Sequence, residues 1–296
     1  MPVADLEFLT PTTLEDALAE LAESEDALAL GGGTSVGLLL KNELIEPGTI
    51  VWLARIPELR SLATGAAGEL VIGATVTLRE IAASALVGRD YPALAYAAGQ
   101  VGNPRVRAMA TLGGALAHSD ARQDVPPVLY ALEARVRIAG LSGRREVPVS
   151  GFHAGFMETV LEPGELITEI VIPAVPGRTA GYARFTPGSA EDYPTVSAAA
   201  AVTRDDSGRV TRAVLAVGGA GPVPFVVDGL AELLGTSPGE DEIEATARAA
   251  RAAAQPLDDQ RGSAAYKTAM AAEWSARVLR ACLYPDTKSV PGLVVG

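Results

Sequence analysis

The chain has one cysteine, Cys282, and two histidines, His118 and His153, in 296 residues. A lone thiol permits no internal disulfide, and this ligand set cannot build a conventional zinc or iron–sulfur centre, so any such metal is expected on another polypeptide. No apolar run reaches the roughly 18 to 20 residues that a membrane span needs; the apolar content comes from alanine-rich stretches. The opening Met1-Pro2-Val3-Ala4-Asp5 lacks the basic flank and apolar core of a secretory signal, so a soluble, cytoplasmic protein is expected. Positive charge is in deficit, with 24 Lys and Arg against 36 Asp and Glu, a net charge of -12. Such a surface disfavours nucleic acid and anionic membranes as partners. Neither G-x-G-x-x-G nor G-x-x-x-x-G-K-[ST] occurs, so a nucleotide would need a different scaffold.

Two glycine-rich segments are present instead: Gly31-Gly32-Gly33-Thr34-Ser35 and Thr111-Leu112-Gly113-Gly114-Ala115. Each follows an apolar stretch and is read as a turn that offers bare backbone N–H groups beside a hydroxyl. Such turns can cradle a pyrophosphate without a lysine, and a dinucleotide is the natural guest. A Gly-Gly pair also serves as an ordinary tight turn or close strand crossing.

The length favours two domains or lobes. Leu14, Ala17, Leu18 and Leu21 recur at helical spacing over Thr13 to Glu23, with Thr12 or Thr13 as cap. Strands are expected at Ala27–Leu30 and Thr49–Leu53, giving a small β-α-β lobe. A second lobe is expected to hold strands Leu70–Ile72, Ala134–Ile138 and Leu166–Ile172 and helices Leu78–Ser84, Ala93–Gly99 and Pro126–Leu132. Pro173 to Arg178 is the linker candidate. Beyond it, strands Gly181–Phe185, Thr195–Thr203 and Val210–Val217 and helices Glu240–Ala253 and Ser263–Leu283 predict an α+β domain, an antiparallel sheet backed by helices.

These segments carry a resemblance. The quoted residues are Pro11-x-x-Leu14-Glu15-Asp16-Ala17, the first glycine loop, Ile72-Gly73-Ala74, and Val106-Arg107 leading into Thr111-Leu112-Gly113-Gly114. They continue with Ala117-His118-Ser119-Asp120, Asp124 and Pro126, then Pro163-Gly164-Glu165-Leu166-Ile167-Thr168-Glu169-Ile170 and Ile172-Pro173. Asp192-Tyr193 and Asp259-x-Arg261-Gly262-Ser263-x-x-Tyr266-Lys267 complete the set. In that order, from about residue 6 to residue 285, the chain resembles the FAD-binding medium subunit of the molybdenum hydroxylases, the xanthine and carbon monoxide dehydrogenase group.

The resemblance implies a two-lobed PCMH-type FAD-binding domain over 1–176, with lobes of about 1–56 and 57–176. A C-terminal α+β domain over 179–285 and a tail, 286–296, would follow. It implies FAD between the lobes, with molybdopterin and 2Fe-2S clusters only on a large and a small partner subunit, in a dimer of heterotrimers. The cofactor-binding residues it implies are Gly31, Gly32, Gly33, Thr34, Ser35, Thr111, Gly113, Gly114, Ala115, Asp124 and Tyr193, with no catalytic residue on this chain.

Asp124 has two readings: an acceptor near the ribityl chain, as the resemblance implies, or the cap of the helix that starts at Pro126. Asp120 shares this duality. His118 is read as a partner for backbone, a base being the alternative. Tyr193 covers one face of the isoalloxazine or packs at a domain seam. The chain departs from the pattern where Ala115 replaces an asparagine and Ala121 a proline, and where the basic residue usual several positions before Asp192 is not matched. The function implied is electron transfer from a small subunit's clusters to an external acceptor. A self-sufficient flavin reductase or oxidase on the same scaffold and a non-catalytic assembly subunit are the alternatives.

Overall fold

The computed structural model describes residues 6–285 and 292–296. Residues 1–5, read above for a leader, and 286–291 of the expected tail lie outside them. The first lobe is β1 (Glu7–Leu9), α1 (Leu14–Glu23), β2 (Ala27–Leu30), α2 (Val36–Lys41) and β3 (Thr49–Trp52). Its three strands run parallel in the order β1-β3-β2. Thr13 caps α1 by accepting the Asp16 N–H, and the buried face is Leu14, Ala17, Leu18 and Leu21, as the spacing predicts.

The second lobe begins with β4 (Leu62–Thr64), β5 (Leu70–Gly73), α3 (Leu78–Ala83), α4 (Ala85–Asp90), α5 (Pro92–Gln100), α6 (Pro104–Met109), α7 (Leu112–His118) and α8 (Val125–Ala131). It continues with β6 (Arg135–Gly140), β7 (Gly143–Pro148), β8 (His153–Gly155), β9 (Glu158–Thr159) and β10 (Leu166–Ile172). Five of these strands form an antiparallel sheet, β4-β5-β10-β6-β7. The lobes share apolar surface: Leu18, Leu21 and Val51 of the first lobe pack in one cluster with Ala139 and Leu166 of the second.

The C-terminal part is β11 (Arg178–Phe185), β12 (Val196–Arg204), β13 (Val210–Gly218), β14 (Phe225–Val226), α9 (Glu240–Ala253), α10 (Ala264–Leu283) and β15 (Leu293–Val295). They build an antiparallel sheet, β14-β13-β12-β11-β15. The expected α+β class and antiparallel sheet are what the structure has. The last residues, expected as a tail, instead supply an edge strand, with Gly181–Ala183 paired to Leu293–Val295.

Strand β12 explains its own apolar run, because successive side chains point to opposite faces. Ala198, Ala200 and Val202 join Trp274, Val278 and Leu279 of α10. Ala199 and Ala201 join Leu129 of α8 and the second-lobe core instead. Both faces of the sheet are therefore covered, and the core runs continuously across the Pro173–Arg178 linker. Strand β11 follows the same period: Ala180 and Tyr182 lie in the second-lobe core, Ala183 in the helical one. Arg184 thus falls on the Tyr182 face.

Candidate functional site

Strand β2 delivers the first glycine loop at its C-terminal end. Gly31 O accepts from Trp52 Nε1 at 3.2 Å, and Gly33 sits at φ +70°, in the left-handed region that glycine occupies without steric penalty. A Cβ on Gly31 would lie 2.5 Å from Thr111 Oγ1, and one on Gly32 1.6 Å from the Met109 carbonyl oxygen. The two glycine segments, eighty residues apart in sequence, are thus in direct contact. Among the described residues, the N–H groups of Gly32, Gly33, Thr34 and Ser35 reach no acceptor in the chain, and the Thr34 and Ser35 hydroxyls have no hydrogen bond. This loop matches the expected open donor set.

The second segment does not. It is the first turn of α7, capped by Thr111, and its donors are engaged: Leu112 N–H to Val76 O at 3.0 Å, Gly113 N–H to Ala74 O at 2.9 Å and Gly114 N–H to Thr111 Oγ1 at 3.2 Å. The glycines serve close approach. A Cβ on Gly113 would come within 2.7 Å of Ala74 Cβ, whereas one on exposed Gly114 would meet only Thr111 Oγ1, at 2.9 Å. Gly114 therefore presents bare backbone beside the first loop, with half-buried Ala115 next to it.

Ser119 ends α7 in a left-handed conformation (φ 51°), and its hydroxyl lies 3.0 Å from Gly155 O and 2.9 Å from Glu158 O. His118 is half-buried, its ring has no hydrogen bond among the described residues, and burial lowers its pKa against the pull of Asp120. Asp120 accepts from the Arg122 N–H (2.9 Å) and pairs with its guanidinium (2.9 Å). Burial raises the Asp120 carboxyl, but Arg122 outweighs it and holds it below the ordinary carboxylate range.

Asp124 stands at the N-cap position of α8, but its side chain makes no capping bond there. Its carboxylate is 3% exposed and accepts from Tyr182 Oη at 2.6 Å, with Arg184 Nε 2.8 Å from the same oxygen. Burial pushes its pKa up to about 6, against the opposing effects of Arg184 and the Tyr182 hydroxyl.

Tyr193 lies 39% exposed in the segment between β11 and β12. The guanidinium carbons of Arg122 and Arg261 lie over its ring, 5.5 and 5.9 Å from the centroid. Arg261 also pairs with Asp192. The Asp259 to Lys267 stretch is explained locally: buried Lys267 bridges Asp259 Oδ1 (2.7 Å) and Leu257 O (2.8 Å), fixing the turn that aims Arg261. Residues of the recognised segments thus converge at one seam, where sequence reasoning missed Arg122, Tyr182 and Arg184. Tyr182 and Arg184, two apart in an apolar strand, were the available signal. A separate cleft of about 480 Å³, lined by Leu14, Leu59, Arg137, Arg145 and Glu169 among others, includes no residue of either glycine segment.

A family model described as the FAD binding domain in molybdopterin dehydrogenase matches residues 4–175. The chain belongs to this family. A second model, the CO dehydrogenase flavoprotein C-terminal domain, matches residues 182–282. This FAD-binding medium subunit of the molybdenum hydroxylase family is 33% identical to the carbon monoxide dehydrogenase medium chain of Hydrogenophaga pseudoflava, over 93% of this chain and 96% of that one. It is 31% identical to the nicotine 6-hydroxylase medium subunit of Paenarthrobacter nicotinovorans, over 94% and 98%. A solved carbon monoxide dehydrogenase from Hydrogenophaga pseudoflava superposes with a TM-score of 0.90, covering 95% of this chain and 98% of its counterpart. Quinoline 2-oxidoreductase from Pseudomonas putida 86 gives 0.88 at 28% identity, over 96% and 99%. The expected family is therefore shown, and with it an FAD-dependent oxidoreductase subunit.

Proposed function

We propose that this chain is the FAD-carrying electron-transfer subunit of a three-subunit molybdenum hydroxylase, taking electrons from the 2Fe-2S clusters of a small subunit to an external acceptor. Substrate oxidation would occur at a molybdenum centre on a large subunit, in a cytoplasmic dimer of heterotrimers. The proposed division is an FAD-binding domain over 1–176 and a C-terminal domain over 179–285. The observation that carries the reading is the first glycine loop: unpaired donors at Gly32 to Ser35, in a loop packed through Gly31 against Thr111 of the second segment.

The fit to FAD is chemical. A diphosphate needs several converging donors and room for its oxygens; neutral N–H groups and hydroxyls supply the first, and the missing Cβ atoms the second. Gly31, Gly32, Gly33, Thr34 and Ser35 would hold the diphosphate, with Thr111, Gly113, Gly114 and Ala115 forming the opposing wall. Tyr193 would lie against the ring system, as an aromatic stack requires. Asp124 would act from behind, through Tyr182 and Arg184. When bound, FAD exchanges electrons singly or in pairs, the property needed between one-electron clusters and either kind of acceptor.

The test compares the assembled enzyme with and without this subunit. Substrate-dependent bleaching of the iron–sulfur clusters should persist in its absence, while turnover with the physiological acceptor collapses. Undiminished turnover, or oxidation of the substrate by this chain alone, contradicts the proposal.

A further inference from the structure

We infer that Arg184 is the positioning residue for Tyr193: a buried guanidinium that ties the carboxylate of Asp124 to the backbone of the loop between β11 and β12. The inference rests on the reading of Tyr193 as a wall of the flavin site.

Arg184 leaves β11 one residue before the strand ends, on the face that meets α8. Its side chain is 4% exposed. Nη1 donates to Ala190 O at 2.9 Å and Nη2 to Asp192 O at 2.6 Å, while Nε lies 2.8 Å from Asp124 Oδ1. The fork therefore grips two carbonyls of an irregular segment and, on its third side, a charge anchored at the start of α8. Asp124 is held in turn by the Tyr182 hydroxyl, from the same face of the same strand. Tyr193 follows Asp192 directly, so the grip fixes the backbone from which its ring projects. A lysine keeps the charge but has neither the planar fork nor its reach, so it cannot hold both carbonyls and the carboxylate in this arrangement.

The experiment loads the full chain with FAD and records visible-region circular dichroism and FAD affinity for Arg184→Lys, Tyr193→Ala and the double variant. Arg184→Lys should retain FAD, give the spectrum of Tyr193→Ala, and weaken binding by about fivefold, the size of an aromatic stacking term. The double variant should be no weaker than Tyr193→Ala, because both changes remove one interaction. A wild-type spectrum for Arg184→Lys, or losses that multiply, overturns the inference. If Arg184→Lys fails to fold, Asp124→Asn, which keeps the shape but removes the charge, should give the same spectral change, and a wild-type spectrum there counts against the tie. An unchanged spectrum for Tyr193→Ala itself refutes the underlying reading of the ring instead. Limited proteolysis then still decides the tie: cleavage within residues 186–194 should accelerate in Arg184→Lys, and an unaltered rate overturns it.

Discussion

Mild acid should destabilise this protein through His153. The ring is 7% exposed on β8, with Nδ1 2.9 Å from the Tyr130 hydroxyl, stacked near Tyr130 and edge-on to Phe152. Burial pushes its pKa from 6.5 to about 4, with the Leu116 carbonyl pulling the other way. The folded state therefore holds His153 neutral, while the unfolded chain takes up a proton as the pH falls through 6.5. The stability linked to this group is complete above that value and is lost progressively as the pH falls toward 4. At 1.36 kcal/mol per unit the full effect is about 3 kcal/mol, roughly 2 kcal/mol of it lost by pH 5. Urea unfolding of wild type and His153→Gln, at about pH 7.5 and pH 5, isolates the effect from the many carboxylates common to both. The gap between the two proteins should narrow by about 2 kcal/mol at the lower pH. Parallel pH profiles would refute the argument.

Gly114→Ala and Gly32→Ala should differ with respect to folding. The first adds a Cβ at an exposed helical position, where alanine is worth up to about 1 kcal/mol, but sets it 2.9 Å from the Thr111 Oγ1 that caps α7, so thermal stability should change little while flavin retention falls. Gly32→Ala drives a Cβ into the Met109 carbonyl and should lower the melting temperature as well as flavin content; a stable Gly32→Ala with full FAD would contradict the lobe contact. Thr111→Val removes the cap that receives the Gly114 N–H and should cost about 1 kcal/mol in urea titration. Tyr193→Ala should shift the flavin absorption and weaken FAD binding by on the order of 1 kcal/mol, read by absorption titration.

Much of the fold is legible where pattern and packing agree. Leu166–Ile172 and Glu240–Ala253 stand where the apolar pattern places them, and α1 carries its expected cap. Helices α2 and α6 span six residues each and bury no side chain fully, so no apolar period marks them, unlike α3 of the same length with buried Leu78 and Ile81. Helix α7 was hidden by its own composition: glycine is a poor helix former, so Gly113-Gly114 reads as a turn until Val76, Ala74 and Thr111 are seen to take their donors. At the site, the first loop is readable from its glycines alone. The pairing of Asp124 with Tyr182 and Arg184 is not, because nearly sixty residues separate the partners and nothing local links them.

The core that crosses the linker has a consequence for motion. Ala180, Tyr182, Ala199, Ala201 and Ala216 are packed in one cluster with Leu70, Leu94 and Leu129. Swinging the C-terminal sheet away would open that apolar interior to water, at a cost that grows with every side chain uncovered. Pro173 to Arg178 therefore joins two parts of one rigid body and does not work as a hinge. Any rearrangement that admits a long dinucleotide must therefore leave this interior closed.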